Sequence, residues 1–174
     1  VAATALDPNS AHIAVDLRKG IVSLAPLPSM DDTMTNASAL GETPRACGLR
    51  RAGRRRRAGP EAIAGDLRPL PADRVDRIPE ATRQSHIVMK RIPGPPTNTQ
   101  LDAHPRSLGA TQVVIAGVAA GNGAEIITRQ ACARGLDVTP ASGAMADMRA
   151  DADASSIARI FPRIGATHDV LALS

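Results

Sequence analysis

Short apolar runs recur along the chain, each closed by a turn signal and then followed by a stretch with helical spacing. Residues 11–17 form the first run, which ends in Asp16 and Leu17 and reads as a buried strand. Gly20, Pro26 and Pro28 make residues 18–29 a loop, and Ser29 with Asp31 and Asp32 marks the start of a helix to about Cys47, stopped by Gly48. Residues 86–89 predict a short strand ending at Lys90, after which Pro93, Pro95 and Pro96 impose an extended loop. A helix is expected over about 98–108, although Pro105 should break or kink it. Residues 111–117 are the clearest buried strand. Residues 124–134 read as a helix closed by Gly135, and 136–139 as another strand. Residues 155–161 belong to a helix beginning near Arg149, and 169–173 to a short final element.

Strands alternating with helices imply a parallel sheet covered on both faces, that is, a three-layer α/β/α sandwich with a mostly parallel, Rossmann-like sheet. Right-handed crossovers put the C-terminal ends of the strands on one edge, where open α/β sheets bind their ligands. Residues 49–85 do not fit this pattern. The arginine-rich stretch 49–60 has neither a two-residue nor a helical period, so it is not expected to form a buried strand, and the sheet should be one strand short. The rest of that segment reads as irregular, with a short helix near 71–77.

The length of 174 residues suits one domain, 1–174, with an atypical Arg/Pro-rich segment at about 49–85. Hydrophobic residues make up 43% of the chain but aromatics only 1%, with Phe161 the sole ring of that class, so the core must rest on aliphatic side chains. The net charge of +4 is local: Arg50, Arg51, Arg54, Arg55, Arg56 and Arg57 supply it in one run, and the rest is slightly acidic. That run admits an anionic-ligand or nucleic-acid reading by counterion release. The chain offers no bases a stacking platform, so nucleic-acid binding is not favoured. Cys47 and Cys132, like His12, His86, His104 and His168, lack the spacing of a metal site, so no metal is expected. Cys132 reads as a buried structural residue. No basic region followed by an apolar run and no membrane-length span is found, so a cytoplasmic protein without membrane contact is expected.

Three stretches carry a resemblance. Residues 13–32 open on a strand ending in Asp16-Leu17. Residues 87–102 contain Lys90-Arg91 ahead of Thr97-Asn98-Thr99. Residues 111–148 contain Gly117-Val118-Ala119, Gly123, Glu125, Arg129, Ala144-Met145 and Asp147-Met148, and Ile160-Phe161-Pro162-Arg163 comes after them. Together, and in this order, they resemble the isochorismatase-like (cysteine hydrolase) family over about two-thirds of the chain. The chain departs from that pattern at Arg18, Pro96, Pro105, Gly143 and Asp153, and in the segment after Gly48.

The resemblance implies Asp16, Lys90 and Gly123 at the catalytic positions, with Gly123 where many members carry the nucleophilic cysteine. It also implies an oxyanion and substrate-binding turn at Val118, Ala119 and Gly123, and a non-proline cis peptide near Val118–Ala119. Glycine has no nucleophile, so thiol-based hydrolysis through a covalent intermediate is excluded at this position. What remains is hydrolysis of a small molecule, at a vinyl ether or amide-type bond, with Asp16 as general acid/base. Such an acid must hold a proton near neutral pH, which burial favours and a charged Lys90 opposes. Gly121, Asn122 and Gly123 near a helix start also suggest a weaker anion cradle. No cofactor is implied, and a homo-oligomer is expected. The alternative is a non-catalytic homologue acting as an oligomeric or partner-binding protein.

Overall fold

A computed structural model describes residues 6–7, 9–17, 30–42, 49–53, 55–56, 67–68, 86–90, 105, 107 and 109–165. The short helix expected near 71–77 and the final element at 169–173 lie outside these residues. Five strands form one sheet: β1 (Ser10–Val15), β2 (Leu49–Gly53), β5 (His86–Lys90), β6 (Gln112–Val118) and β7 (Asp137–Ala146). Their order is β5-β2-β1-β6-β7, and all four neighbouring pairs are parallel. Two further strands, β3 (Arg55–Arg56) and β4 (Leu67–Arg68), pair antiparallel by themselves.

The order explains the sequence pattern. Every residue of β6 is buried, because a parallel strand between two others is covered on both faces. Alternate side chains divide the core. On one face Ala11, Ile13, Val15, Val113 and Ile115 meet Ile127, Ala131 and Phe161. On the other, Val114 and Ala116 pack with Ala141, Ala144 and Leu40. Leu40 belongs to α1 (Met30–Glu42), while Ile127 and Ala131 belong to α2 (Glu125–Ala133). Helices therefore cover both faces, as the α/β/α expectation requires.

Two expectations need correction. Residues 49–53 form β2, so the sheet is not one strand short there. β2 lies between β1 and β5, in register Ile13 with Leu49 and Gly53 with Lys90. Backbone N–H and C=O groups make a ladder whatever side chains they carry, and two parallel neighbours supply partners on both sides. Second, β7 runs well past Thr139, to Ala146. Among the described residues it is the outermost strand on that side of the sheet, where Pro140 is tolerated, and its register with β6 shifts between Ile115 and Gly117. Side chains of α1 bind carbonyls along this irregular stretch: Asn36 Nδ2 donates to Gly143 O (2.7 Å) and Thr33 Oγ1 to Met145 O (3.1 Å).

The end of α2 obeys its sequence signal, while the stop expected at Gly48 lies outside the described residues. Gly135 (φ 73°) stops α2: its N–H donates to Cys132 O and the Leu136 N–H to Ala131 O, the paired bonds of a glycine C-cap. From Ala150 to Ile164 the chain stays helical, as α3 (Ala150–Ser155), a π-helical segment (Ser156–Ile160) and α4 (Phe161–Ile164). Pro105 itself is helical, and its carbonyl accepts from the Ala110 N–H.

Candidate functional site

The chain moves outward from β1 through β2 to β5, then returns to build β6 and β7 on the other side of β1. The reversal falls between β1 and β6. At such a point the connections leave in opposite directions and open a crevice beyond the C-terminal strand ends. Residues placed here by the fold are therefore the candidates for chemistry.

Asp16 is the first residue past β1. It adopts φ 51°, a left-handed conformation that Asp tolerates better than most residues. Val15, just before it, pairs with Gly117 of β6. Gly117 has φ +118°, and a Cβ there would lie 2.1 Å from Val15 O. Only glycine permits this approach. Directly after it the Val118–Ala119 peptide is cis, as the resemblance implies. Asp16 and this peptide thus leave adjacent strands side by side.

A single π-helical turn (Ala120–Ala124) then leads into α2. Its Ala120, Gly123 and Ala124 are buried, whereas Gly121 and Asn122 are exposed to solvent. Three N–H groups of the turn are committed within the fold: Gly121 to Asp147 Oδ2 (2.8 Å), and Asn122 and Ala124 to Ala119 O (both 3.1 Å). This arrangement weakens the anion-cradle reading, since a carboxylate already occupies the Gly121 amide.

Lys90 ends β5, opposite Gly53 of β2. Because all strands run the same way, it reaches the same edge as Asp16 but two strands away, roughly 10 Å at ordinary strand spacing. The fold thus sets Asp16 beside Val118 and Ala119, with Gly123 in the next turn, and puts Lys90 across the edge from them. Beside the cis peptide is an apolar wall. Met30, Val118 and Ala146 are buried there, with Leu17, Met34 and Ala119 against them.

Asp147 was not singled out as a site residue by its sequence. It comes directly after β7 as Asp16 does after β1, and β7 pairs Ala146 with Val118. Asp147 therefore borders the cis peptide on the side opposite Asp16. Both are acids directly after a strand on the ligand-binding edge, but the end of β7 that marks Asp147 shows only in the structure. Asp153 is close by: burial, and then the charge of Asp147, pushes its carboxyl above the usual range.

Cys132 is exposed on α2, not buried. The buried stripe of that helix is Ile127, Thr128 and Ala131, and one step beyond Ala131 turns about 100° off it. Eight residues beyond Ala124, it lies about 12 Å further along the helix, so its thiol does not stand in for the missing nucleophile. Among the described residues, no group of three His, Cys, Asp or Glu side chains is placed to hold a metal ion, and no helix is long and apolar enough to cross a membrane.

An isochorismatase family protein from Burkholderia thailandensis shares this fold with a TM-score of 0.80 and 26% identity, over 98% of this chain and 96% of that one. A cysteine hydrolase from Pseudomonas syringae pv. phaseolicola has TM-score 0.71 at 17% identity, covering 98% and 93% of the two chains. The pyrazinamidase of Pyrococcus horikoshii, solved in complex with zinc, has TM-score 0.74 at 15% identity, covering 93% and 99%. The last two show likeness of fold alone. No curated protein sequence gives a significant match. The model of the isochorismatase domain matches residues 10–170, which takes in the whole sheet and the candidate site, and the chain therefore belongs to the isochorismatase family.

Proposed function

We propose that this protein is a small-molecule hydrolase in which Asp16 is the general acid/base and no thiol takes part. The observation that carries the reading is the position of Asp16. It stands in a left-handed turn at the switch point, beside the Val118–Ala119 peptide. Gly123 bears no nucleophile, so water must attack directly. For a vinyl ether, protonated Asp16 delivers its proton to the terminal alkene carbon and leaves an oxocarbenium ion. Water adds to that ion, its proton returns to Asp16, and the hemiketal collapses to an alcohol and a ketone. For an amide, ionised Asp16 takes a proton from the attacking water, N–H groups of the 118–123 turn other than those of Gly121 and Asn122 receive the developing oxyanion, and Asp16 returns the proton to the amine as the C–N bond breaks, leaving a carboxylic acid. Lys90 is the electrostatic partner, acting across the edge on Asp16 and on substrate charge.

The test is turnover of isochorismate and a panel of small amides, wild type beside Asp16→Asn, read by mass spectrometry. Wild type is expected to turn over one class of bond, and Asp16→Asn to lose at least about 10²-fold in rate. The missing nucleophile at Gly123 favours a second reading, a non-catalytic homologue that self-associates or binds a partner. No turnover by folded wild type, together with a stable assembly in sedimentation, would decide for it.

A further inference from the structure

The hydrolytic step leaves unused a set of polar side chains around the Ala120–Ala124 turn. Asp147 is 7% exposed, a buried carboxylate with both oxygens engaged. Oδ2 accepts from the Gly121 N–H (2.8 Å) and Oδ1 from the Arg149 N–H (3.1 Å). Gly121 is pressed against the next helical segment: a Cβ there would meet Ala152 Cβ at 3.1 Å, Asp147 Oδ2 at 3.2 Å and Ser156 Oγ at 3.4 Å. At the other end of the turn, Ser156 Oγ, itself buried, donates to Glu125 Oε2 (2.9 Å). Glu125 Oε1 accepts from Arg129 Nε (3.0 Å).

Two ties therefore hold the turn, one at each end, and both anchor it to the chain beyond β7. Between them lies Gly123, and immediately before them the Val118–Ala119 peptide. Both ties are charge-assisted bonds to a carboxylate, but the carboxylate of Asp147 at the first amides of the helical segment also meets the positive end of its dipole. Asp147 is thus the stronger of the two anchors.

We propose that Asp147 is a positioning residue: its carboxylate fixes the turn that carries Gly123 and the Val118–Ala119 peptide relative to Asp16. The proposal rests on the hydrolase reading for its catalytic consequence, but the tie itself is a property of the fold. An asparagine has the same shape but only one acceptor oxygen, so it can satisfy one of the two N–H groups and must turn its amide donors towards the other.

The experiment compares wild type, Asp147→Asn and Ser156→Ala. It reads steady-state kinetics on the substrate class found active, and amide hydrogen exchange by NMR on the same samples. For Asp147→Asn, kcat is expected to fall on the order of 10²-fold with KM nearly unchanged, the effect of misplacing a reacting geometry rather than removing a binding contact. Gly121 and Gly123 should lose exchange protection, while Ile13 and Ile115 in the sheet keep theirs. Ser156→Ala should give a smaller effect of the same kind. Unchanged protection at Gly121 overturns the proposal, and so does uniform loss across the sheet, which marks a merely structural role. If wild type turns over nothing, the hydrolase reading fails and the exchange measurement still decides the tie: selective loss at Gly121 and Gly123 supports it, and any other pattern overturns it.

Discussion

At Gly117 the backbone does two things that a side chain would forbid. It takes φ +118°, and it brings β6 so close to β1 that a Cβ would fall 2.1 Å from Val15 O. Gly135 also has a positive φ, +73°, but nothing lies within 4 Å of where its Cβ would be. The first position combines strain with collision, whereas the second carries strain alone. Gly117→Ala is therefore expected to destabilise the protein by more than the roughly 1–3 kcal/mol of such backbone strain, and a urea titration should show it as a lower midpoint. An unchanged midpoint would mean that β1 and β6 separate easily there. In that case the neighbouring positions of Asp16 and Val118 would not be rigid.

Between elements, the telling contact is His12 of β1 with the last part of α1. Its ring is buried on the α1 side of the sheet, and Nδ1 meets Leu40 O, which favours the tautomer that carries the proton on Nδ1. Burial holds its pKa below the ordinary 6.5, and the Leu40 carbonyl opposes this only in part. The unfolded chain then takes up the proton first. Stability is full above about pH 6.5 and drains as pH falls through the lower folded value, at up to about 1.4 kcal/mol per pH unit. His12→Gln should keep a donor near Leu40 and lose this slope. Denaturant midpoints across the acid range measure it, and equal slopes for the two proteins would refute it. The elements also differ in how plainly the sequence announces them. β6 is legible because burial on both faces demands one continuous apolar run. β7 is legible only to Thr139, because an irregular register with β6 lets Pro140 and Gly143 continue a strand that local propensity would end. Asp16 is found through the family resemblance, which its place at the end of an apolar run helps to carry. Asp147 is not singled out, because no such run announces the end of the strand before it.

Over the whole sheet, β2 is the exception to local consistency. Arg50 pairs with Ala14 of β1 and Ile87 of β5, and Arg51 with Val88 of β5, in a central strand where parallel sheets ordinarily carry Val, Ile or Leu. Its pairing is dictated by the neighbours on either side, which single-segment patterns do not contain. The double substitution Arg50→Val with Arg51→Val is expected to raise stability by about 1 kcal/mol, read as a higher urea midpoint. A fall would show that the arginines make contacts that apolar side chains cannot replace. Phe161, at 0% exposed, has a further use. It is the chain's only phenyl, indole or phenol ring, so apart from the four imidazoles the aromatic proton spectrum belongs to one side chain in the centre of the α2 face of the core. The protein thus carries a built-in reporter: ring dispersion at Phe161 tracks the closing of that core with no label added, and fluorination at this one residue type would track it inside a cell extract.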